Sequence, residues 1–313
     1  MAGISDLPFR MINRSFGCEF AFAEMISARS LVYRSGKTMR MMATAACDKP
    51  VGVQLLGDDP FMIRTSIDIL EGHNFDVLDF NAACPVNKVT SRGEGAALLK
   101  EPRRLRELLR IMVDNASVPV TLKMRAGWDD ESLNARDIAL FAEDAGIAAV
   151  TVHGRTRVQG YGGTVNYRII GDVKKALSIP VIASGDALSP RLIDRLFEET
   201  GCDGVAVARG SLGNPWIFRQ MTNFRRSGAV PQGPSIEELV ETMTTHLGLC
   251  CDFYGERVGN MIFRKFFLWY TRGIPDVKPL RQRAVNSAAM AETLAIIGDL
   301  PSLWAVSPNE GER

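Results

Sequence analysis

The sequence predicts a (β/α)₈ barrel of the TIM type with its first strand truncated, joined to a C-terminal bundle of helices. Three observations carry this. Seven short apolar runs recur at intervals that leave room for one helix each. Amphipathic stretches fill those intervals, and strand alternating with helix is the pattern of a parallel α/β fold. After Trp216 the strand pattern stops and helical spacing alone continues.

The runs are Phe20 to Ala23, Val51 to Leu56, Val77 to Phe80, Val120 to Met124, Ala149 to Val152, Val181 to Ala183 and Val205 to Ala208. Each is too short for a helix and lacks the alternation of a half-exposed strand, which points to parallel strands buried on both faces. Leu105, Leu108, Leu109 and Met112 form one apolar helical stripe, with Arg103, Arg104, Arg106 and Glu107 off it; Ile138, Phe141 and Ala142 form another. Pro50, Pro119 and Pro180 precede strands, while Asp59-Pro60, Glu101-Pro102 and Ser189-Pro190 mark helix starts. Seven strands are one short of a closed barrel. The deficit lies at the front, where Met1-Ala2-Gly3 reads as a loop leaving a strand and Leu7-Pro8-Phe9-Arg10 already opens a helix. Either the sheet is open, or its first strand has been cut away. Ser227-Gly228 and Pro231-Gln232-Gly233-Pro234 form a breaker cluster that reads as a linker. It separates a barrel over 1–230 from a helical domain over 235–302, with helices at Ile236 to Cys251, Val258 to Tyr270 and Ala288 to Ile297. Ser235 with Glu238 three residues on reads as a capping box. The tail, 303–313, is expected to fray.

Of the 313 residues, 46% are hydrophobic and 23% charged, which excludes a disordered chain. No apolar run reaches the roughly 18 residues of a spanning helix. Asp6, Arg10 and Arg14 interrupt the N-terminal apolar residues, so no secretion signal is read and a cytoplasmic location is expected. No pattern calls for an obligatory protein partner, and a monomer is expected. The six cysteines (Cys18, Cys47, Cys84, Cys202, Cys250 and Cys251) show neither a CxxC pair nor zinc-type spacing, so reduced thiols and no metal are expected. A net charge of +1 excludes nucleic-acid binding through overall charge and leaves room for a local basic face.

In a parallel barrel the site lies at the C-terminal ends of the strands. The residues in and just after those ends are Met1 and Ala2, Gln54, Asn81 to Pro85, Lys123 with Arg125, His153 with Arg155, Ser184-Gly185-Asp186, and Ala208-Arg209-Gly210. Glycine after the last two strands lets backbone N–H groups approach an anion, where barrels often hold a phosphate, and Arg209 adds a charge; both glycines also serve as plain turn residues. Lys123 closes an apolar strand and needs solvent or an electron-rich partner. A flavin supplies one, since its reduced ring carries negative charge near N1; a lysine reaching out to solvent is the alternative. Gln54 would serve the pyrimidine edge of such a ring, or be satisfied by backbone. His153 draws interest by its strand-end position, unlike His73 and His246. Cys84 stands in a loop before proline, whereas the other five cysteines read as buried small hydrophobes. A thiol with an ordinary pKa near roughly 8.5 is protonated at neutral pH, so Cys84 suits an acid giving a proton to a carbanion-like centre.

These residues stand in blocks that resemble the tRNA-dihydrouridine synthases, and among them the bacterial B-type group. The blocks include MAGISDLPFR, EMISARSL, VQLLGDDP, DFNAACPVNKV with SRGEGAALL, VTLKMRAGWD, VTVHGRTRVQGYGG, IPVIASGD, GVAVARGSLGNPWIF and FRKFFLWYTRGIP. The resemblance runs from Met1 to about Arg283. It implies FMN at the barrel mouth, NADPH as reductant with NADH as the alternative, and uridine in tRNA as substrate. It implies Cys84 as proton donor, Lys123 and Gln54 on the isoalloxazine with His153 beside it, Met1 and Ala2 at the cofactor, and Ser184, Gly185, Asp186, Ala208 and Arg209 at its phosphate end. Hydride would pass from flavin N5 to C6 of the uracil and a proton from Cys84 to C5. Asn81, Arg125 and Arg155 are expected at the base, while Arg264, Lys265 and Arg272, with Arg225, Arg226, Lys278, Arg281 and Arg283 nearby, are expected on phosphates. Three departures stand out: no strand precedes Met1, Ser184 stands where asparagine is usual, and Phe266 where histidine is common. Two rival readings stay open: a flavin barrel reducing a free pyrimidine, in the manner of dihydroorotate dehydrogenase, and a flavin-free RNA-binding or regulatory protein.

Overall fold

The computed structural model describes residues 1–229 and 232–304. Among these, seven parallel strands form one sheet in chain order: β1 (Ala21–Ser27), β2 (Val51–Leu56), β3 (Val77–Ala82), β4 (Val120–Arg125), β5 (Ala149–His153), β6 (Val181–Ser184) and β7 (Gly204–Ala206). Each of the seven apolar runs lies in or overlaps a strand. Leu78, Phe80, Leu122, Met124, Val150, Val152 and Ala183 on one face are at most 2% exposed, as strands covered by helices require. Sheet order β1 to β7 leaves β1 and β7 as the edges, and every residue of β7 is half-exposed.

Register decides what shares the other face. Gln54, Asp79 and Thr121 are direct neighbours across β2, β3 and β4. Two residues further along lie Asn81, Lys123 and Thr151, and at the strand ends Arg125, His153 and Ser184. Side chains alternate along a strand, so these polar residues form stacked rows. Helices return the chain between strands. Asp59 caps Pro60–Leu70 by accepting from the Met62 N–H at 3.1 Å, and Ser189 caps Pro190–Thr200 by accepting from Leu192 at 3.3 Å.

The chain divides into two compact units. One comprises Met1–Leu7 and Glu19–Arg209, the other Pro8–Cys18 and the chain from Gly210 onward. The helices Leu7–Ser15 and Ile217–Ser227, grouped with the barrel on sequence, thus cluster with the helical unit apart from Leu7. Phe9 shows why for the first: its ring stacks on Phe266 with centroids 5.8 Å apart. Around them the helices Ile236–Tyr254 and Glu256–Tyr270 bury His246, Leu247, Phe263, Phe266 and Phe267 completely. His246 Nδ1 meets the Tyr270 hydroxyl at 3.0 Å. The expected capping box is half formed. Ser235 Oγ accepts from the Glu238 N–H at 3.2 Å, but the Glu238 carboxylate turns to Arg219, 2.7 Å away. Lys278–Asn286, Met290–Gly298 and Leu300–Trp304 complete the described helices of this unit. Pro231 of the linker and residues 305–313 of the tail lie outside the described residues.

Cys202, Cys250 and Cys251 are buried as expected, whereas Cys47 is exposed in the short 3-10 turn Ala46–Asp48 and Cys18 is half-buried in the turn after the first helix. Among the described residues no helix is long and apolar enough to cross a membrane. The two longest helices of the second unit approach backbone to backbone at Gly259, where an added Cβ would lie 2.3 Å from the Cys250 carbonyl oxygen. Gly259→Ala must push these helices apart, at a cost of about 1–3 kcal/mol. A lowered Tm of the purified variant is expected; an unchanged Tm contradicts the packing.

Candidate active site

The lower rows interlock through side chains. Asp79, 1% exposed, accepts hydrogen bonds from Thr121 Oγ1 and Gln54 Nε2, both at 2.6 Å. Gln54 Oε1 accepts from Asn81 Nδ2 at 2.7 Å, and Asn81 Oδ1 accepts from the N–H groups of Ala83 at 3.0 Å and Cys84 at 2.8 Å. Burial pushes the Asp79 carboxyl up to about 6, against the pull of those two donors and of Lys123. Burial likewise brings Lys123 down to about 8, opposed by Asp79. Its ammonium reaches Ser184 Oγ at a long 3.4 Å.

The strand ends carry the positive charge. Arg125, 2% exposed, donates to the carbonyls of Ala83 at 2.7 Å, Thr156 at 2.9 Å and Gly160 at 2.8 Å. Arg155, also 2% exposed, donates to the carbonyls of Gly162 and Gly163, each at 2.8 Å, and pairs with Asp186 through both oxygens at 2.5 and 3.0 Å. Arg209 donates to the same carboxylate at 2.7 Å. The Arg155 hydrogen bond, aided by both positive charges, holds Asp186 below the usual carboxylate range. Asp186 sits at φ 49°, a left-handed conformation that costs about 1 kcal/mol or more in a non-glycine residue and that its two arginines offset. Gly185 before it, at φ 122°, has no room for a side chain, since a Cβ would lie 2.7 Å from Val165.

Tyr161, on the loop after β5, lies 5.6 Å from the Arg125 guanidinium and 5.3 Å from that of Arg209, with its ring edge-on to His153. His153 keeps a buried Nε2 with no hydrogen-bond partner among the described residues. Desolvation, then Lys123, Arg125, Arg155 and Arg209, depress its pKa to about 2, so the ring is neutral. Cys84 is half-buried just past β3. Burial raises its thiol above the ordinary value, against an N–H from Val86. Gly95, at φ 61°, passes so close that a Cβ there would lie 2.8 Å from the Cys84 carbonyl oxygen.

Gln54, Asn81, Lys123, Arg125, His153, Arg155, Ser184, Asp186 and Arg209 are therefore joined by register and hydrogen bonds, with Cys84 linked through its N–H. At the N-terminus the Met1 amine donates to Ser5 Oγ at 2.6 Å, Ala2 is exposed, and the Gly3 N–H donates to the Glu24 carboxylate. Ala208 is half-exposed beside Arg209. In the second unit Arg272 is exposed, but Arg264 donates to the Ser287 carbonyl at 2.8 Å and Lys265 lies 4.8 Å from the Phe266 ring. Sequence reasoning misses Asp79, Thr121 and Tyr161. For Asp79 the signal is present, a carboxylate inside an apolar run, as with Gln54; for Tyr161 the glycine-rich loop carries none.

A parallel sheet with charged groups gathered at its C-terminal strand ends defines an enzyme of the barrel class. The chain belongs to the dihydrouridine synthase family, an oxidoreductase family, whose model matches residues 1–301. It is 36% identical over 302 residues to a probable tRNA-dihydrouridine synthase of Rickettsia conorii, covering 95% of this chain and 89% of that one. Identity is also 36%, over 281 residues, to tRNA-dihydrouridine synthase B of Pseudomonas aeruginosa, covering 90% and 85%. Among solved structures, histamine dehydrogenase from Rhizobium sp. 4-9 superposes with a TM-score of 0.55 at 12% identity, over 79% of this chain. The 6-hydroxypseudooxynicotine amine oxidase of Pseudomonas geniculata N1 gives 0.56 at 16%, over 78%. This chain spans about half the length of those two structures (47% and 49%), and the likeness is one of fold.

The neutral His153 makes stability depend on pH. Its folded pKa of about 2 lies below the 6.5 of a free imidazole, so between those values unfolding takes up a proton. Its contribution is whole above pH 6.5 and is lost as pH falls, at up to about 1.4 kcal/mol per pH unit. Asp79 has the opposite sign, its raised carboxyl costing stability as pH rises from 3.8 to about 6. His153→Gln should therefore lose Tm less steeply than the parent between pH 6.5 and about pH 4; equal slopes would show that the imidazole is charged in the fold.

Proposed function

We propose that this protein reduces the C5=C6 bond of uridines in tRNA to 5,6-dihydrouridine, with FMN held at the strand ends and NADPH as reductant. The observation that carries this is the mouth itself: a neutral His153, its Nε2 without a hydrogen-bond partner among the described residues, stands among Lys123, Arg125, Arg155 and Arg209, with a protonated thiol past the end of β3. Such a mouth fits a flat, electron-rich, anionic group. Lys123 would stand toward the electron-rich part of the flavin ring, Gln54 and His153 at its polar edges, Met1 and Ala2 elsewhere at the cofactor, and Ser184, Gly185, Asp186, Ala208 and Arg209 around the phosphate end. The chemistry that the bound flavin supplies is a hydride to C6 of the uracil.

Cys84 holds a proton at Sγ and gives it to C5, so that the double bond becomes single and the thiolate regains its proton from water. Burial keeps that thiol protonated through neutral pH. Arg125 and Arg155 would orient the uracil carbonyls, with Asn81 beside them on the strand that leads into the thiol loop. The target base has to leave its stack to reach this mouth, at a cost of a few kcal/mol. The relatives' names support tRNA as the substrate. On the helical unit the exposed Arg225, Arg226, Arg272 and Lys278 suit its phosphates; Arg264, tied to Ser287, acts there as a structural residue.

Cys84→Ala tests the reading. Flavin content and NADPH oxidation should persist while reduction of tRNA uridine falls by about 100-fold or more. In the parent enzyme the same activity should decline as pH rises beyond the ordinary thiol range near about 8.5, where the proton is lost. Parent-like reduction of tRNA by the variant would remove Cys84 from the chemistry, and turnover of free uracil would replace tRNA as substrate.

A further inference from the structure

We infer that Asp79 is a positioning residue: through Gln54 and then Asn81 it sets the backbone that carries Cys84. The four groups form one chain of hydrogen bonds, from the Asp79 carboxylate to Gln54 Nε2 at 2.6 Å, from Gln54 Oε1 to Asn81 Nδ2 at 2.7 Å, and from Asn81 Oδ1 to the Cys84 N–H at 2.8 Å. Its two ends are of fixed sense. An ionised carboxylate accepts and never donates, while a backbone N–H donates and never accepts. Between such ends each amide has one orientation that satisfies every link, because turning either one sets oxygen against oxygen or NH₂ against N–H. Asp79 is 1% and Asn81 5% exposed, so water offers little substitute for a lost link.

Alternative roles for Asp79 are weaker. Thr121 takes its second oxygen at 2.6 Å, which steadies the carboxylate and leads nowhere further. Its charge also acts on Lys123, but that effect does not require the aligned bonds to Gln54 and Asn81. The consequence reaches the thiol because Asn81 holds two successive N–H groups, at Ala83 and Cys84, and so fixes the turn leaving β3. What Cys84 does chemically rests on the function proposed above; that its loop is held by this chain does not.

The test uses the full-length, FMN-loaded protein with two substitutions. Asp79→Val removes the acceptor that orients Gln54; Asp79→Asn removes the charge and keeps an oxygen that can face Gln54. Iodoacetamide labelling is read cysteine by cysteine by mass spectrometry, with the exposed Cys47 as internal reference. In Asp79→Val the half-buried Cys84 is released and labels at least about fivefold faster relative to Cys47. Its kcat on tRNA falls at least about tenfold while KM stays within about threefold. Asp79→Asn recovers most of the labelling ratio and part of kcat.

An unchanged labelling ratio in Asp79→Val overturns the inference. So does equal damage from Asn and Val, which would assign the effect to charge on Lys123. Should Asp79→Val fail to fold, Asn81→Asp keeps the acceptor for the backbone N–H groups but cannot donate to Gln54. Faster Cys84 labelling in that variant supports the chain of bonds, and parent-like labelling refutes it. Failure of the proposed function looks different: the labelling ratio shifts, yet even the parent protein leaves tRNA unreduced.

Discussion

Positive charge gathered at one end of a parallel sheet is the constraint on which the rest of the site depends. Burial first, and then the charges of Lys123, Arg125, Arg155 and Arg209, strip His153 of its proton. Arg125 gives its hydrogen bonds to backbone carbonyls of the loops past β3 and β5, which orders those loops without neutralising its charge, while Arg155 divides its own between two carbonyls and Asp186. Asp186 answers two of the cations and holds a left-handed backbone to do so. An anionic, electron-rich ligand at this mouth would relieve the repulsion that remains.

The sheet register converts that constraint into layers. Since side chains alternate, a single parallel pairing scheme puts Gln54, Asp79 and Thr121 in one row and Arg125, His153 and Ser184 in another. The deeper row is linked by short hydrogen bonds, and the outer one carries the Arg125 charge beside the half-buried, neutral His153. A shift of one residue in any strand would move these groups to the helix-covered face, where no partners await them.

Much of the site is legible in the sequence because a polar residue inside a buried apolar strand must have a reason to be there. That argument finds Gln54, Lys123 and His153 and applies equally to Asp79, which escapes notice when its run, Val77 to Phe80, is read for strand propensity alone. All seven strands are legible as short apolar runs, the half-exposed edge strand β7 included. Which core a helix fills is not. Leu7–Ser15 has the amphipathic spacing of any packed helix, and contacts such as Phe9 on Phe266 show that it serves the helical unit. Arg264 illustrates the same limit, since spacing does not reveal that a guanidinium turns inward to a carbonyl 23 residues away. Tyr161 owes its place to loop geometry set by Arg125 and Arg155, which no local pattern encodes.

Titration of flavin-free protein with FMN and, separately, with riboflavin, followed by flavin fluorescence, tests the account most directly. A cation-rich mouth with a phosphate end predicts one FMN per chain, bound at least about tenfold more tightly than riboflavin and weakened by salt. Equal affinity for the two flavins, or no binding of either, would contradict it.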